Sequence, residues 1–326
     1  MTAIIPATDR PATLPSCLEA IRSAELPPEE LVVVSDPANL GPAAARNAGA
    51  RRARGEVLVF IDSDVRVHRD AFGRIRGRLE ADPGLTAVFG SYDDSPPMPG
   101  GVSAFRNLLH HYVHQACAGP ATTFWAGLGA VRRDPFLAVG GFDSGTFPSA
   151  SIEDIELGLR LADRGARIEL DPRLLGTHLK RWRLAQMVRT DLLDRGVPWL
   201  LLLFRSGRRS SELNLGWCHR ASAVLSVAAT VSLSRRRVGA TATALMALLA
   251  LNSSFYALLW RRRGPAGAIA GVLLHVIHHL TAAAAIPWAL AIYAREAWVS
   301  EAWTGRKRSD PARPRSGAPR SQRSSR

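Results

Sequence analysis

The sequence has little cysteine, almost no lysine and, beyond residue 205, almost no acid. Its three cysteines, Cys17, Cys117 and Cys218, are widely spaced and odd in number. That pattern excludes a disulfide framework and a paired-cysteine metal site, and it fits packing residues in a reducing compartment. Lysine occurs only at Lys180 and Lys307, every other base being arginine, a uniform bias that points to genome composition rather than to a site. The opening "MTAIIPATDR" has neither a basic leader nor a full apolar core, so a front half that stays in the cytoplasm is expected. Residues 1–205 hold 24 basic and 24 acidic side chains, whereas residues 206–326 hold 18 and 4. The net charge of +14 therefore belongs to the second part of the chain. A balanced front half argues against a phosphate-tracking surface there, and no nucleic-acid partner is expected.

What the front half does contain is short apolar runs alternating with helical patterns. "TAII" (2–5), "LVVVS" (31–35), "VLVFI" (57–61) and "TAVFG" (86–90) read as buried strands, continuous rather than alternating in polarity. "LPSCLEAIRSA" (14–24) and "AAARNAGARRA" (43–53) between them have helical spacing. This order predicts an α/β fold with a mostly parallel, Rossmann-like sheet flanked by helices. Ligands of such sheets bind at the carboxyl ends of the strands.

Near Gly196 the chain changes character. "VPWLLLLF" (197–204) suits a membrane interface, and apolar stretches follow at 217–234, 238–260 and 265–294, separated by Arg235-Arg236-Arg237 and Arg261-Arg262-Arg263. Spanning a bilayer takes about 20 apolar residues, so two or three C-terminal transmembrane helices are expected. The boundaries read as a catalytic domain over 1–205, a membrane-associated region over 206–294 and a basic, disordered tail over 295–326. The 305–326 stretch is rich in Arg, Ser and Pro.

Chemistry concentrates where "VLVFI" runs into Asp62-Ser63-Asp64. Two carboxylates on a turn after a buried strand offer hard oxygen ligands to Mg²⁺ or Mn²⁺, ions usually held by one or two carboxylates plus substrate phosphates. A solvated turn is the plain alternative. The surrounding segments decide more. "NLGPAAARNAGARRARGEVLVFIDSDV" (39–65) resembles a stretch of the family 2 glycosyltransferases of the GT-A fold, in which an N-x-G-x-x-x-A-R-N-x-G segment precedes a strand ending in DxD. "TAIIPATDRP" and "LVVVSD" resemble that family's first two strands. "WAGLGAVRRDPFLAVGGFD" (125–143) is similar to its acceptor-side segment, and "IEDIELGLRLADRGARI" (152–168) to its catalytic helix. The resemblance covers about residues 2–205.

Carried over position by position, the resemblance implies that Asp36 contacts the donor's base and that Arg46 approaches the nucleotide diphosphate. Asp62 would contact the ribose or a divalent cation, Asp64 would ligate that cation, and His178 would reach it or the diphosphate. Asp154 would be the general base, supported by Glu153, with Trp125, Gly127, Arg181 and Trp182 on the acceptor side. The usual linker after the second strand is nearly absent, because "SDPANLG" passes straight to the next element. A turn-forming Asp36 before Pro37 is its plain reading. Ser151 as an N-cap with Asp154 three residues on is the plain reading of the acid pair, and Gly165 is placed to end that helix. "HLKRW" (178–182) echoes the QxxRW signature of processive synthases with His in place of Gln, which favours transfer of a single sugar. His110, His111 and His114 read as surface or acceptor-side residues, while His275, His278 and His279 read as intramembrane polar groups, functional or hydrogen-bonding between helices.

The resemblance thus implies a membrane-anchored, inverting glycosyltransferase with a nucleotide-sugar donor and Mn²⁺ or Mg²⁺. Its catalytic domain would lie on the cytoplasmic face of the inner membrane, placed for a lipid, lipid-linked or envelope acceptor. Two rival readings are a sugar-phosphate nucleotidyltransferase and a catalytically degenerate membrane scaffold. The first lacks its glycine-rich loop, since "PATDRPATL" contains no glycine. The intact acids argue against the second.

Overall fold

A computed structural model describes residues 1–207 and 213–308. The first elements are β1 (Thr2–Pro6), α1 (Leu14–Arg22), β2 (Glu30–Val34), α2 (Pro42–Arg52) and β3 (Val57–Ile61), with every expected strand and helix in place. Next come β4 (Val65–Val67), α3 (Ala71–Ala81), β5 (Leu85–Tyr92) and α4 (Gly101–Ala116). β6 (Gly119–Ala121), β7 (Leu128–Arg132), α5 (Arg133–Ala138), α6 (Glu153–Asp163) and β8 (Arg167–His178) complete the sheet domain.

All strands join one sheet in the order β2-β1-β3-β7-β5-β8-β4, with β6 added on β8. β1 pairs in parallel with β2 and β3, and β5 with β8. β7 runs antiparallel between β3 and β5, while β4 and β6 run antiparallel to β8. The sheet is therefore mixed, not mostly parallel. Continuous apolar runs report burial on both faces but not strand direction, and neither β7 nor β8 stands out as an apolar run of its own. Two cores cover the faces. Ile4, Phe60, Phe89 and Phe124 pack with Ala43, Ala45 and Leu157 of α2 and α6. Ile5, Val59 and Ile61 pack with Cys17 and Ile21 of α1 and Phe72 and Ile75 of α3.

The chain then forms α7 (Leu184–Arg189), a π-helical turn (Thr190–Gly196) and α8 (Val197–Ser206). A 3₁₀ turn (Leu213–Leu215) leads to α9 (Trp217–Ser234), α10 (Val238–Leu251) and α11 (Ser253–Arg308). The expected apolar stretch 238–260 is divided at Asn252, whose Nδ2 donates to Ser222 Oγ at 2.9 Å and to the Leu248 carbonyl at 3.0 Å. A second break follows the Arg261–Arg263 cluster, where Gly264 takes φ +69° inside α11. Among the described residues one helix, Ser253–Trp298, is long and apolar enough to cross a membrane, with α10 a shorter apolar helix. The count of two or three spanning helices is corrected accordingly: the 14 residues of α10 fall short of the ~20 needed to span a bilayer. α11 runs on through residues 295–308, and residues 309–326 of the expected tail lie outside the described residues. α11 is not detached from the sheet domain. Phe255, Leu259 and Leu274 share a core with Phe105, Leu108 and Leu109 of α4.

Candidate active site

The carboxyl end of β3 delivers Asp62, Ser63 and Asp64 to the wall of one cavity of about 1590 Å³. The Asp62 backbone N–H donates to the Gly127 carbonyl at 3.1 Å and closes the turn against the 123–127 loop. Arg46, on α2, is buried beneath this turn. Its Nη2 donates to Asp62 Oδ1 at 2.6 Å and its Nη1 to Glu153 Oε1 at 2.8 Å. Both terminal nitrogens of Arg46 are thus used within the protein, and a guanidinium is suited to such a fork because its donors are planar and fixed. Burial, with Asp64 and Glu153 nearby, pushes the Asp62 carboxyl above the ordinary range despite the Arg46 guanidinium.

His178 ends β8 and places Nε2 3.6 Å from Asp64 Oδ2, too long for a hydrogen bond. Its ring is stacked on Tyr92 of β5, with centroids 4.1 Å apart and planes within 8°. Burial opposes the charge on Asp64, yet the His178 imidazole and the Lys180 ammonium hold its carboxyl below the ordinary range. Among the described residues no three His, Cys, Asp or Glu side chains form a metal site by themselves. Asp64 and His178, with the exposed side of Asp62, are a two- or three-donor set that suits a hard cation only if a ligand supplies the remaining oxygens.

Asp154 sits in the first turn of α6 and lines the same cavity. Its Oδ2 accepts from the Ala126 N–H at 3.1 Å, and its Oδ1 accepts from the Ile155 N–H at 2.9 Å. Burial, with Glu153 beside it, pushes the Asp154 carboxyl up to about 6. The capping alternative is absent: the N-cap is Ile152 with no side-chain cap, and the Ser151 hydroxyl donates to the Asp194 carbonyl at 2.6 Å. Glu153 is buried, taking the Ser151 N–H on Oε2 at 2.8 Å as well as Arg46. Gly165 ends the helix region at φ +78°.

The residues expected on the acceptor side divide. Trp125 lines the cavity and meets Tyr92 edge-on, centroids 4.9 Å apart. Gly127 is required by that ring, because a Cβ would lie 2.3 Å from Trp125 Cζ2. Trp182 is buried under Arg106 and Lys180, whose cations lie 4.6 and 4.5 Å from its ring centroid. Arg181 is exposed and not on the cavity wall. Asp36 is likewise exposed and outside that wall, where Thr8, Asp9 and Asn39 stand instead. Of the 110–114 histidines, expected at the surface or on the acceptor side, His110 and His114 line the cavity beside Trp125 and His111 is half-buried. His114 is buried with Nδ1 2.9 Å from the Gly90 carbonyl, and His110 stacks between it and Tyr92. Residues with no signal in the sequence also line the cavity: Tyr92, Arg106, Asp191 and Arg195. Asp191 pairs with Arg106, and its Oδ2 accepts from His278 Nδ1–H of α11 at 2.8 Å, contacts that span 85 and 87 residues.

Residues 37–139 match the family model Glycosyl transferase family 2. The matched stretch includes Arg46, Asp62, Asp64, Trp125 and Gly127 and ends before Glu153, Asp154 and His178. Two curated proteins named Pre-mycofactocin glycosyltransferase, from Mycobacterium tuberculosis strains CDC 1551 / Oshkosh and ATCC 25618 / H37Rv, are each 29% identical over 165 residues. The alignment takes in 49% of this chain and 34% of each relative, so the match spans about a third of their length. Among solved structures, the mannosyltransferase PcManGT from Pyrobaculum calidifontis with GDP-Man and Mn²⁺ has a TM-score of 0.46 at 19% identity, over 84% of this chain and 86% of that one. Glucosyl-3-phosphoglycerate synthase from Mycobacterium tuberculosis, with Mn²⁺, UDP-glucose and glycerol 3-phosphate, has a TM-score of 0.43 at 19% identity, over 64% and 81%.

Proposed function

We propose that the protein is an inverting glycosyltransferase that moves one sugar from a nucleotide-sugar donor to an acceptor hydroxyl. The observation that carries this reading is that Asp154 shares one cavity wall with Asp62, Asp64 and His178, on a chain whose residues 37–139 match family 2. The name of the curated relatives, a glycosyltransferase, agrees with it.

In this reading the donor's nucleoside lies by Thr8, Asp9 and Asn39, which line the end of the cavity beyond β1 and β2; Asp36 stands outside that wall. Asp64, His178 and Asp62 would hold Mn²⁺ or Mg²⁺ together with the donor diphosphate, and the cation when bound neutralises charge on the departing phosphate. Arg46 positions the acids. By binding Asp62 and Glu153 together it fixes the β3 turn relative to the start of α6. Asp154 accepts the acceptor's proton as the acceptor oxygen bonds to the anomeric carbon and the bond to the diphosphate oxygen breaks. The Ala126 N–H fixes its carboxylate, and a carboxyl poised near 6 is ionised at neutral pH yet basic enough for the task. We assign α11 as a membrane anchor, with the acids on the cytoplasmic side and a lipid or lipid-linked acceptor. Residues 1–205 would be the catalytic domain and 206–294 the membrane-associated region.

A thermal-shift screen of the full chain against nucleotide-sugars with Mn²⁺ tests this. A ligand at about 100 times its Kd stabilises the native state by about 2.7 kcal/mol, so the true donor should raise the melting temperature by several degrees. A flat response across the common uridine, guanosine and thymidine diphosphate sugars would contradict the proposal.

A further inference from the structure

The cavity that holds the acids does not end with them. It continues past Trp125 and Arg195 to the groove between α9 and α11, where Ala223, Val227, Val231, Ala282 and Ile286 form its wall. Val227, Val231 and Ile286 are exposed, at 39%, 42% and 46%, so this wall is apolar surface that no other part of the protein covers. Its volume of about 1590 Å³ also exceeds the roughly 300–1,000 Å³ that small-molecule sites occupy. A donor nucleotide-sugar therefore leaves part of it unfilled.

The junction of the polar and apolar ends has a distinct chemistry. Arg195 lines it as an exposed side chain in no ion pair among the described residues, its charge felt by Asp154 and Asp191. His279 is 1% exposed and lines the cavity, with Nε2 lacking a hydrogen-bond partner; His219 lines it with Nε2 equally unpartnered. The rings of these two histidines lie 5.8 Å apart across α9 and α11. Buried polar nitrogens are rarely left unsatisfied without a function or a ligand. The nearby acid, Asp191, is already taken by Arg106 and His278. The belt thus offers one guanidinium outside any ion pair and two imidazoles with a free ring nitrogen each.

We propose that this groove seats the hydrocarbon of a single-chain anionic amphiphile, its anionic group resting on Arg195, His219 and His279. Resting on the transferase reading of the same site, this compound is the acceptor, held so that its hydroxyl end reaches Asp154. Continuity of the groove with the acids and the two unpartnered imidazole nitrogens beside Arg195 select this occupant over a protein segment. An apolar peptide would satisfy the groove but not Arg195.

The test uses the full chain and dodecyl phosphate as probe, with neutral dodecyl maltoside as the comparison, and follows saturable binding by equilibrium dialysis. Dodecyl phosphate should bind at one site. Ala282→Trp, which fills the exposed groove, should weaken it at least tenfold, with the melting temperature kept. Val227→Trp, from the opposite wall, should do the same and guards against a local folding defect in α11. Arg195→Gln should weaken dodecyl phosphate about tenfold and leave dodecyl maltoside unchanged. Unsaturable binding, or full affinity in both tryptophan variants, would overturn the groove. Equal loss for both probes in Arg195→Gln would overturn the anion belt. Nucleoside diphosphate binding with Mn²⁺, measured on the same samples, reports on the donor site separately: its absence beside intact dodecyl phosphate binding would remove the transferase reading and leave the amphiphile site standing.

Discussion

Asp154 carries two costs that one substitution separates. Its carboxyl is pushed up to about 6 because burial and Glu153 disfavour the anion. A raised carboxyl value means that the folded state binds the proton more tightly than the unfolded chain. Asp154 therefore costs stability when ionised at neutral pH, a cost relieved as pH falls from about 6 toward the ordinary value of 3.8. Asp154→Asn should remove that cost, leaving the melting temperature at pH 7.5 unchanged or raised by an amount equivalent to about 1–2 kcal/mol. The same variant should lose on the order of 10²–10⁴-fold in turnover, while keeping its affinity for nucleoside diphosphate. In the wild type, turnover should fall about tenfold per pH unit below about 6, the limb expected of a base with that value. A flat profile between pH 5 and 7 would remove Asp154 from proton transfer.

At the scale of elements, the cavity wall that carries the acids is assembled by long-range pairings. Arg46 on α2 ties the end of β3 to the start of α6, across 16 and 107 residues of sequence. Arg46→Met should leave Glu153 buried and uncompensated, at a cost of about 3–5 kcal/mol. Replacing Glu153 by Met as well should recover part of that loss, as urea unfolding of the single and double variants would show. Gly127→Ala should act differently. Its Cβ displaces the Trp125 ring in the loop whose Ala126 N–H fixes Asp154, so turnover should fall well before stability does. These pairings also explain what could be read beforehand. β1, β2, β3, α1, α2 and α6 have local apolar periodicity, and Asp62, Asp64 and Asp154 follow recognisable strand ends and helix starts. β7 and β8 do not, because "LGAVR" and "RIELDPRLLGTH" mix small, polar and apolar residues. Their burial is set by neighbours far along the chain. For the same reason the Tyr92 stack on His178 and the Arg106–Asp191–His278 contacts leave no spacing signal.

For the whole molecule, the sheet domain and the C-terminal helices share both a core and a cavity. The C-terminal apolar helices cannot then be an independent tether, since α11 contributes Phe255, Leu259 and Leu274 to the core beside α4. Carbonate extraction should leave the full chain in the membrane fraction, since about 20 apolar residues suffice to span a bilayer and Ser253–Trp298 exceeds that. Release into the soluble fraction would refute the anchor. The central claim, that the acids at the end of β3 bind a donor diphosphate through a divalent cation, has a more direct test. Calorimetric titration of the full chain with a nucleoside diphosphate should show binding with Mn²⁺ that is at least tenfold weaker without it, because two carboxylates and one imidazole leave ligand positions for the phosphates. Asp64→Ala should remove the Mn²⁺ dependence. Equal affinity with and without Mn²⁺, or an Asp64→Ala protein that binds as the wild type does, would contradict the account.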